Sequence, residues 1–239
     1  MTDPTKDVTG RSSPSSRTIS LPKPRLSSDV SVEEALGARR SIRDFENVPI
    51  SLADISQLLW AAQGITHFDG LRTAPSAGAL YPLEAYAVVG IVSDLRAGVY
   101  RYRPDGHELE RIAEGDRREQ LCYAALSQSA VHNAAVVIVL TAVYERTTGK
   151  YGQRGNRYVH MEIGHTAENV CLQAITLGLG TVVIGAFEDH RVKTILNLPR
   201  EQDPLYLVPI GKSLDNKYEA SLPRGVRHSV GVKKRKGAV

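Results

Sequence analysis

A chain of 239 residues with 42% hydrophobic side chains can bury one domain-sized core. Its net charge of +4 sits partly in Lys233, Lys234, Arg235 and Lys236, and no aromatic-interleaved basic stripe appears, so the balance favours an anionic ligand and argues against nucleic acid. The two cysteines, Cys122 and Cys171, form no C-x-x-C pair, which removes a disulfide framework and a zinc signature and points to a reducing cytoplasm. The longest apolar run, residues 134–143, falls short of the roughly 20 residues of a membrane span.

Residues 1–16 are rich in Ser, Thr, Pro and Asp and carry no apolar core of the signal-peptide kind. A disordered head over residues 1–20 is therefore expected, with order beginning at the extended lead-in Leu21-Pro22-Lys23-Pro24. Ser31 with Glu34 reads as a capping box that opens a short amphipathic helix. At its end stands Arg39-Arg40-Ser41-Ile42-Arg43-Asp44-Phe45, with three guanidiniums and a hydroxyl within five residues. Guanidinium forks match phosphate oxygens two at a time. Cations also suit a helix C-terminus, and charge runs commonly face water. On these residues alone an anion clamp and a solvated basic turn both stand.

Ser51 with Asp54 opens a second helix, in which Ile55, Leu58, Leu59 and Ala62 recur at i, i+3, i+4 and i+7 and Gly64 is expected as a left-handed stop. Residues 70–82 are too small and too punctuated for a helix or central strand, and read as a loop whose backbone is approached closely. A strand follows over residues 85–91, then a hairpin over 98–112 turning at Pro104-Asp105-Gly106, a helix over 116–128 and a buried strand over 134–143. Residues 144–156 are polar with glycines at 149, 152 and 155, and read as a mobile loop. The central helix is expected over residues 158–179, closed by Gly178 and Gly180. Then come a strand over 181–187, a short helix over 189–196 and a strand over 205–210 closed by Gly211-Lys212-Ser213. The mixed order lacks steady βαβ alternation and predicts an α+β fold, with one domain over residues 21–213 and a C-terminal extension with a basic tail over 214–239.

Several motifs fail their structural context. Gly178-Leu179-Gly180 follows a helix and precedes a strand, the reverse of a dinucleotide fingerprint. Gly211-Lys212-Ser213 has Tyr206 where a P-loop needs its first glycine. His160 and His165 lie about 140° apart around a helix and do not share a face as two metal ligands would, so no metal site is expected. No G-x-S-x-G elbow occurs.

Taken together, the arginine cluster, the loop Ala74-Pro75-Ser76-Ala77-Gly78-Ala79-Leu80-Tyr81-Pro82-Leu83-Glu84, the run from Gly178 through Gly185-Ala186, Leu58-Leu59-Trp60-Ala61-Ala62-Gln63-Gly64 and Val208-Pro209-Ile210-Gly211-Lys212 resemble the FMN-dependent nitroreductase superfamily, and within it the SagB-type dehydrogenase branch. The resemblance implies a mixed, mostly antiparallel sheet flanked by helices in an intertwined homodimer, with FMN at the subunit interface. It further implies that Arg39, Ser41 and Arg43, with Arg40 beside them, meet the FMN phosphate and ribityl end. Pro75, Ser76, Ala77, Gly78 and Leu80 would come from the partner subunit against the isoalloxazine, and Ile184, Gly185 and Ala186 would lie by the ring, a backbone N–H donating to N5. Arg224 is the candidate second phosphate anchor, with Arg227 and Lys212 as rivals, because the tail beyond Lys212 departs from the branch's usual ending. The adjacent Lys150-Tyr151 pair matches a pair implicated in proton removal in azoline oxidases; a solvated loop pair is the alternative. Two activities follow from the resemblance: hydride transfer from NAD(P)H to a nitroaromatic, quinone or enone, and dehydrogenation of thiazoline or oxazoline rings in a modified peptide with reoxidation by O2. A non-catalytic flavin-binding protein is the third expectation.

Overall fold

A computed structural model of the chain describes residues 18–227. The expected disordered head up to residue 17 and the basic tail from residue 228 lie outside the described residues. Seven strands form one sheet in the order β1-β4-β3-β2-β5-β7-β6, every neighbouring pair antiparallel. They are β1 (Thr18–Ser20), β2 (Leu83–Val89), β3 (Gly98–Arg103), β4 (Glu108–Glu114), β5 (Val136–Ala142), β6 (Gly180–Thr181) and β7 (Asp203–Gly211). All seven residues of β2 and of β5 are buried because helices cover both faces of the sheet. On one face Leu83, Ala85, Ala87 and Val89 pack with Ile55, Leu58 and Leu59 of α2 (Leu52–Gln63) and with Val159 and Ile163 of α6 (Arg154–Thr176). On the other, Tyr86 and Val88 meet Leu121 of α3 (Arg118–Ala124), Val131 of α4 (Ser129–Asn133) and Val192 and Leu196 of α7 (Asp189–Leu196). Period-two alternation thus feeds two cores at once. The α+β expectation holds.

Local chemistry explains the elements that were legible. Ser31 and Glu34 close a reciprocal capping box on α1 (Val32–Ala38), as Ser51 and Asp54 do on α2. The hairpin turns over residues 104–107, and α7 has the expected bounds. After Thr176 the chain reverses through a Schellman arrangement: Gly178 has φ +69°, its N–H donates to Ile175, and Leu179 N–H donates to Ala174.

Other expectations are corrected. Thr18–Ser20, expected in the disordered head, form β1 and pair with β4. Gly64 is extended at φ −65°, ψ 144°, and not left-handed; a Cβ there would lie 2.2 Å from the Trp60 ring, so glycine answers a close approach. The strand expected over residues 181–187 is reduced to Gly180–Thr181 in β6 and an isolated bridge between Ile184 and Leu207. The largest change concerns residues 144–156, which are helical: α5 (Glu145–Tyr151) runs almost directly into α6. Two of its glycines answer local backbone demands. Gly152 takes φ +56° at the junction, and a Cβ on Gly155 would sit 2.9 Å from the Thr148 backbone. Beyond β7, the extension carries two short helices, α8 (Asn216–Ser221) and α9 (Arg224–Arg227). Among the described residues no helix is long and apolar enough to cross a membrane.

Candidate active site

Residues 39–43 run along the free edge of the sheet beside β6. Ser41 forms a parallel bridge with Thr181, and Ile42 N–H donates to the Thr181 carbonyl at 2.9 Å. This contact needs Gly180, where a Cβ would fall 2.8 Å from Ile42. With Ile42 buried, Ser41 and Arg43 stand exposed on the other side of the extended segment. Arg43 forms no ion pair among the described residues. Arg39 reaches Glu168 of α6 only at 3.8 Å with both side chains well exposed, a contact of little strength. Beneath them the Thr181 hydroxyl is buried without a partner. Four residues along, Gly185 and Ala186 are exposed, and their N–H groups make no hydrogen bond among the described residues. This edge therefore offers two weakly committed guanidiniums, a hydroxyl and free amides, a donor set suited to a phosphate and a polar ring edge.

Arg40 is different. Its guanidinium turns back onto the carbonyls of Gly37 and Arg39, at 3.1 and 2.7 Å, and so caps α1. Arg40 and Arg224 line one cleft with Glu34, Gly37 and Ser221. Lys212 lines another with Lys23 and Arg25, and nothing is described of the Arg227 side chain. No hydrogen bond or ion pair joins Arg224 or Lys212 to Arg39, Ser41 or Arg43.

A second cluster forms around residues 75–80, which make a tight turn with Gly78 at φ +65°, Ala79 at +53° and Tyr81 at +45°. Such angles cost a non-glycine residue energy and persist where surroundings hold them. Here Tyr81 N–H donates to the Ser76 hydroxyl at 2.9 Å, Arg146 of α5 donates to the Tyr81 carbonyl, and the Arg72 guanidinium lies 4.6 Å from the Tyr81 ring centre. Arg146 also binds Glu84 at 2.6 Å, tying α5 to β2. Lys150 and Tyr151, the last residues of α5, converge on the turn: a Cβ on Gly78 would lie 2.8 Å from Tyr151 Oη and 3.0 Å from Lys150 Nζ. The structure thus brings Lys150 and Tyr151 to Pro75, Ser76, Ala77, Gly78 and Leu80, and not to the arginine edge.

Sequence reasoning missed the residues behind this turn. Arg72 donates to Gln63 Oε1 at 2.8 Å, and Gln63 donates to Thr166 at 3.0 Å. Glu162, one helical turn before Thr166, is buried, and burial pushes its carboxyl up to about 7 against the opposing pull of the Ser76 hydroxyl and, more weakly, Arg72. The usable signal was a glutamate on the inner stripe of α6, in step with Val159, Thr166 and Val170.

Comparison with known proteins bears on the fold and the family. MJ1384 of Methanocaldococcus jannaschii, named as a nitroreductase, is 44% identical over 187 residues, 78% of this chain and 93% of that one. The microcin B17-processing protein McbC of Escherichia coli is 31% identical over 61% of this chain; the chain spans only 56% of McbC's length. Among solved structures, a nitroreductase-type protein of Ralstonia eutropha superposes with a TM-score of 0.73 at 28% identity, covering 90% of this chain and 99% of that one. The E. coli McbBCD microcin synthetase, with truncated pro-MccB17 bound, gives 0.64 at 27% identity, over 81% of this chain and 77% of that one. Fold and relatives define an oxidoreductase of the flavin-using kind, which sets aside a non-catalytic binding protein. The chain belongs to the Nitroreductase family, whose pattern it matches over residues 36–212.

Proposed function

We propose that this chain is an FMN-dependent oxidoreductase that moves hydride from NAD(P)H to an electron-poor acceptor such as a nitroaromatic, quinone or enone, within a homodimer. The observation that carries the reading is that one chain holds two unfinished half-sites. The sheet edge has weakly committed donors, and the turn at residues 75–80 presents a surface of small, partly exposed residues. Two copies, each lending its turn to the other's edge, complete both. FMN fits the edge by its chemistry: Arg39, Arg43 and Ser41 supply charge-assisted donors for a dianion above the orphaned Thr181 hydroxyl. Arg224 would approach the same phosphate from the extension, and Arg40, committed to capping α1, would contribute through its field. When bound, FMN supplies reversible acceptance and release of hydride. The free amides near Ile184, at Gly185 and Ala186, are the donors that would meet negative charge developing on the ring. Pro75, Ser76, Ala77, Gly78 and Leu80 would exclude water from its face. Residues 21–213 constitute the cofactor-binding domain in this reading, and the cytoplasm keeps the unpaired Cys122 and Cys171 reduced.

Purified protein should be yellow, and anaerobic NADH or NADPH should bleach its flavin absorbance. A colourless protein that FMN cannot reconstitute overturns the reading, and a monomeric mass at micromolar concentration overturns the shared site.

One observation favours a second substrate class. Lys150 Nζ and Tyr151 Oη meet at the turn that would face the partner's flavin, where a proton-handling pair is needed for dehydrogenating an azoline ring in a peptide, with O2 as final acceptor. Similarity to McbC, named for microcin B17 processing, and to a complex holding a peptide precursor supports it. Bleaching by an azoline peptide and by neither nicotinamide would select this reading.

A further inference from the structure

The buried polar network under the turn contains two atoms with no partner, the acceptor Glu162 Oε1 and the donor Arg72 Nε, and no ion pair closes between them. Arg72 is already committed, by Nη1 to Gln63 and by its flat face to Tyr81. The Ser76 hydroxyl favours the charged form of Glu162, and its oxygen accepts from Tyr81 N–H. The carboxyl therefore bears on the turn at Ser76 and the guanidinium at Tyr81. We propose that Glu162 is a positioning residue for residues 75–81: as a neutral acid it leaves Arg72 on Gln63 and Tyr81, and as a carboxylate it draws Arg72 across and loosens the turn.

The physical cause is asymmetric cost. A neutral carboxyl oxygen without a partner in a buried site is tolerable, whereas a carboxylate oxygen there is not, and the uncommitted buried donor of this network is Arg72 Nε. Satisfying it removes a hydrogen bond from Gln63 and the cation from the Tyr81 ring. Facing groups from other elements do not offer an alternative. From α2 comes only the neutral Gln63; from α5, Lys150 and Tyr151 meet the turn at Gly78 and face it from that side. On α6 itself Thr166 is taken by Gln63, and His160 is bonded to Tyr144 at 2.7 Å. A raised carboxyl, ionising near 7, puts the change within the working range of a neutral-pH enzyme.

The inference concerns the turn itself; its bearing on catalysis rests on the flavin reading. The test is hydrogen exchange of backbone amides 76–81 in the full-length protein without added flavin, corrected for intrinsic rates, from pH 6 to 8.5, with FMN affinity measured alongside. Protection should fall about tenfold across this range in the wild type and stay flat at the pH 6 level in Glu162→Gln, the isosteric mimic of the neutral acid. Ser76→Ala, which removes a hydrogen bond favouring the carboxylate, should move the midpoint upward. FMN affinity should follow the same step in the wild type and lose it in Glu162→Gln. A pH-independent wild-type turn, a step that survives in Glu162→Gln, or a midpoint unmoved by Ser76→Ala overturns the proposal. If the exchange step is present but FMN binds at no pH, the positioning role stands and the flavin reading fails.

Discussion

The arginine edge and the turn, the two halves of the proposed site, are built on opposite principles. The arginine edge is an extended segment fixed by backbone bonding to Thr181, and its working groups are exposed, charged and nearly uncommitted. The turn at residues 75–80 works by shape: its residues are small, several backbone angles are left-handed, and beyond its own Ser76–Tyr81 bond it is held by Arg72, itself bonded to Gln63, and by Arg146 of α5. Recognition by charge needs little local precision, because a guanidinium attracts a phosphate over several ångströms. Recognition by shape requires a scaffold, and the scaffold is where buried polar groups accumulate.

That contrast can be broken experimentally. Lys150→Ala should have the largest effect if the pair handles protons, lowering azoline oxidation by about 10² or more with flavin content unchanged, as measured by turnover against bound absorbance. Replacing Arg39 and Arg43 together by Ala should weaken FMN by about 2 kcal/mol, roughly 30-fold by fluorescence titration, while exchange protection at residues 76–81 stays the same. Equal losses in both measurements would show the halves to be one unit. Gly78→Val places a branched side chain at φ +65° against Tyr151 and Lys150, and should cost about 1–2 kcal/mol of stability in urea, with turnover falling more than FMN affinity. Because burial raises the Glu162 carboxyl in the folded state, the native protein holds a proton the unfolded chain has lost, so its contribution to stability declines as pH rises from about 4.5 through 7; urea midpoints should drop over that window and flatten in Glu162→Gln. Smallest, Ser51→Ala should cost about 1 kcal/mol by loss of the α2 cap and leave both half-sites intact.

What could be read in advance divides along the same line. Both capping boxes, α7 and the arginine cluster were legible because their signals lie within a few residues of one another. So was the small-residue turn, as a place of close approach. The helix α5 was not, since Gly149, Gly152 and Gly155 carry the composition of a loop; only the packed structure reveals that Gly155 makes room for the backbone of Thr148. β1 escaped because three residues gain strand character from a partner some ninety residues away. Glu162, Arg72 and Gln63 each look ordinary in sequence, and their function as struts exists only once α2, α6 and the turn meet.

The placement of Lys150 and Tyr151 with the turn, away from the arginine edge of the same chain, carries a consequence for anyone who assays the protein. Under the shared-site reading, dilution dismantles the site before it disturbs the fold. Specific activity then becomes a function of enzyme concentration, rising in proportion to the protomer at the low end while the total rate rises as its square. The sheet and its two cores survive in a lone chain that has nothing left to catalyse with.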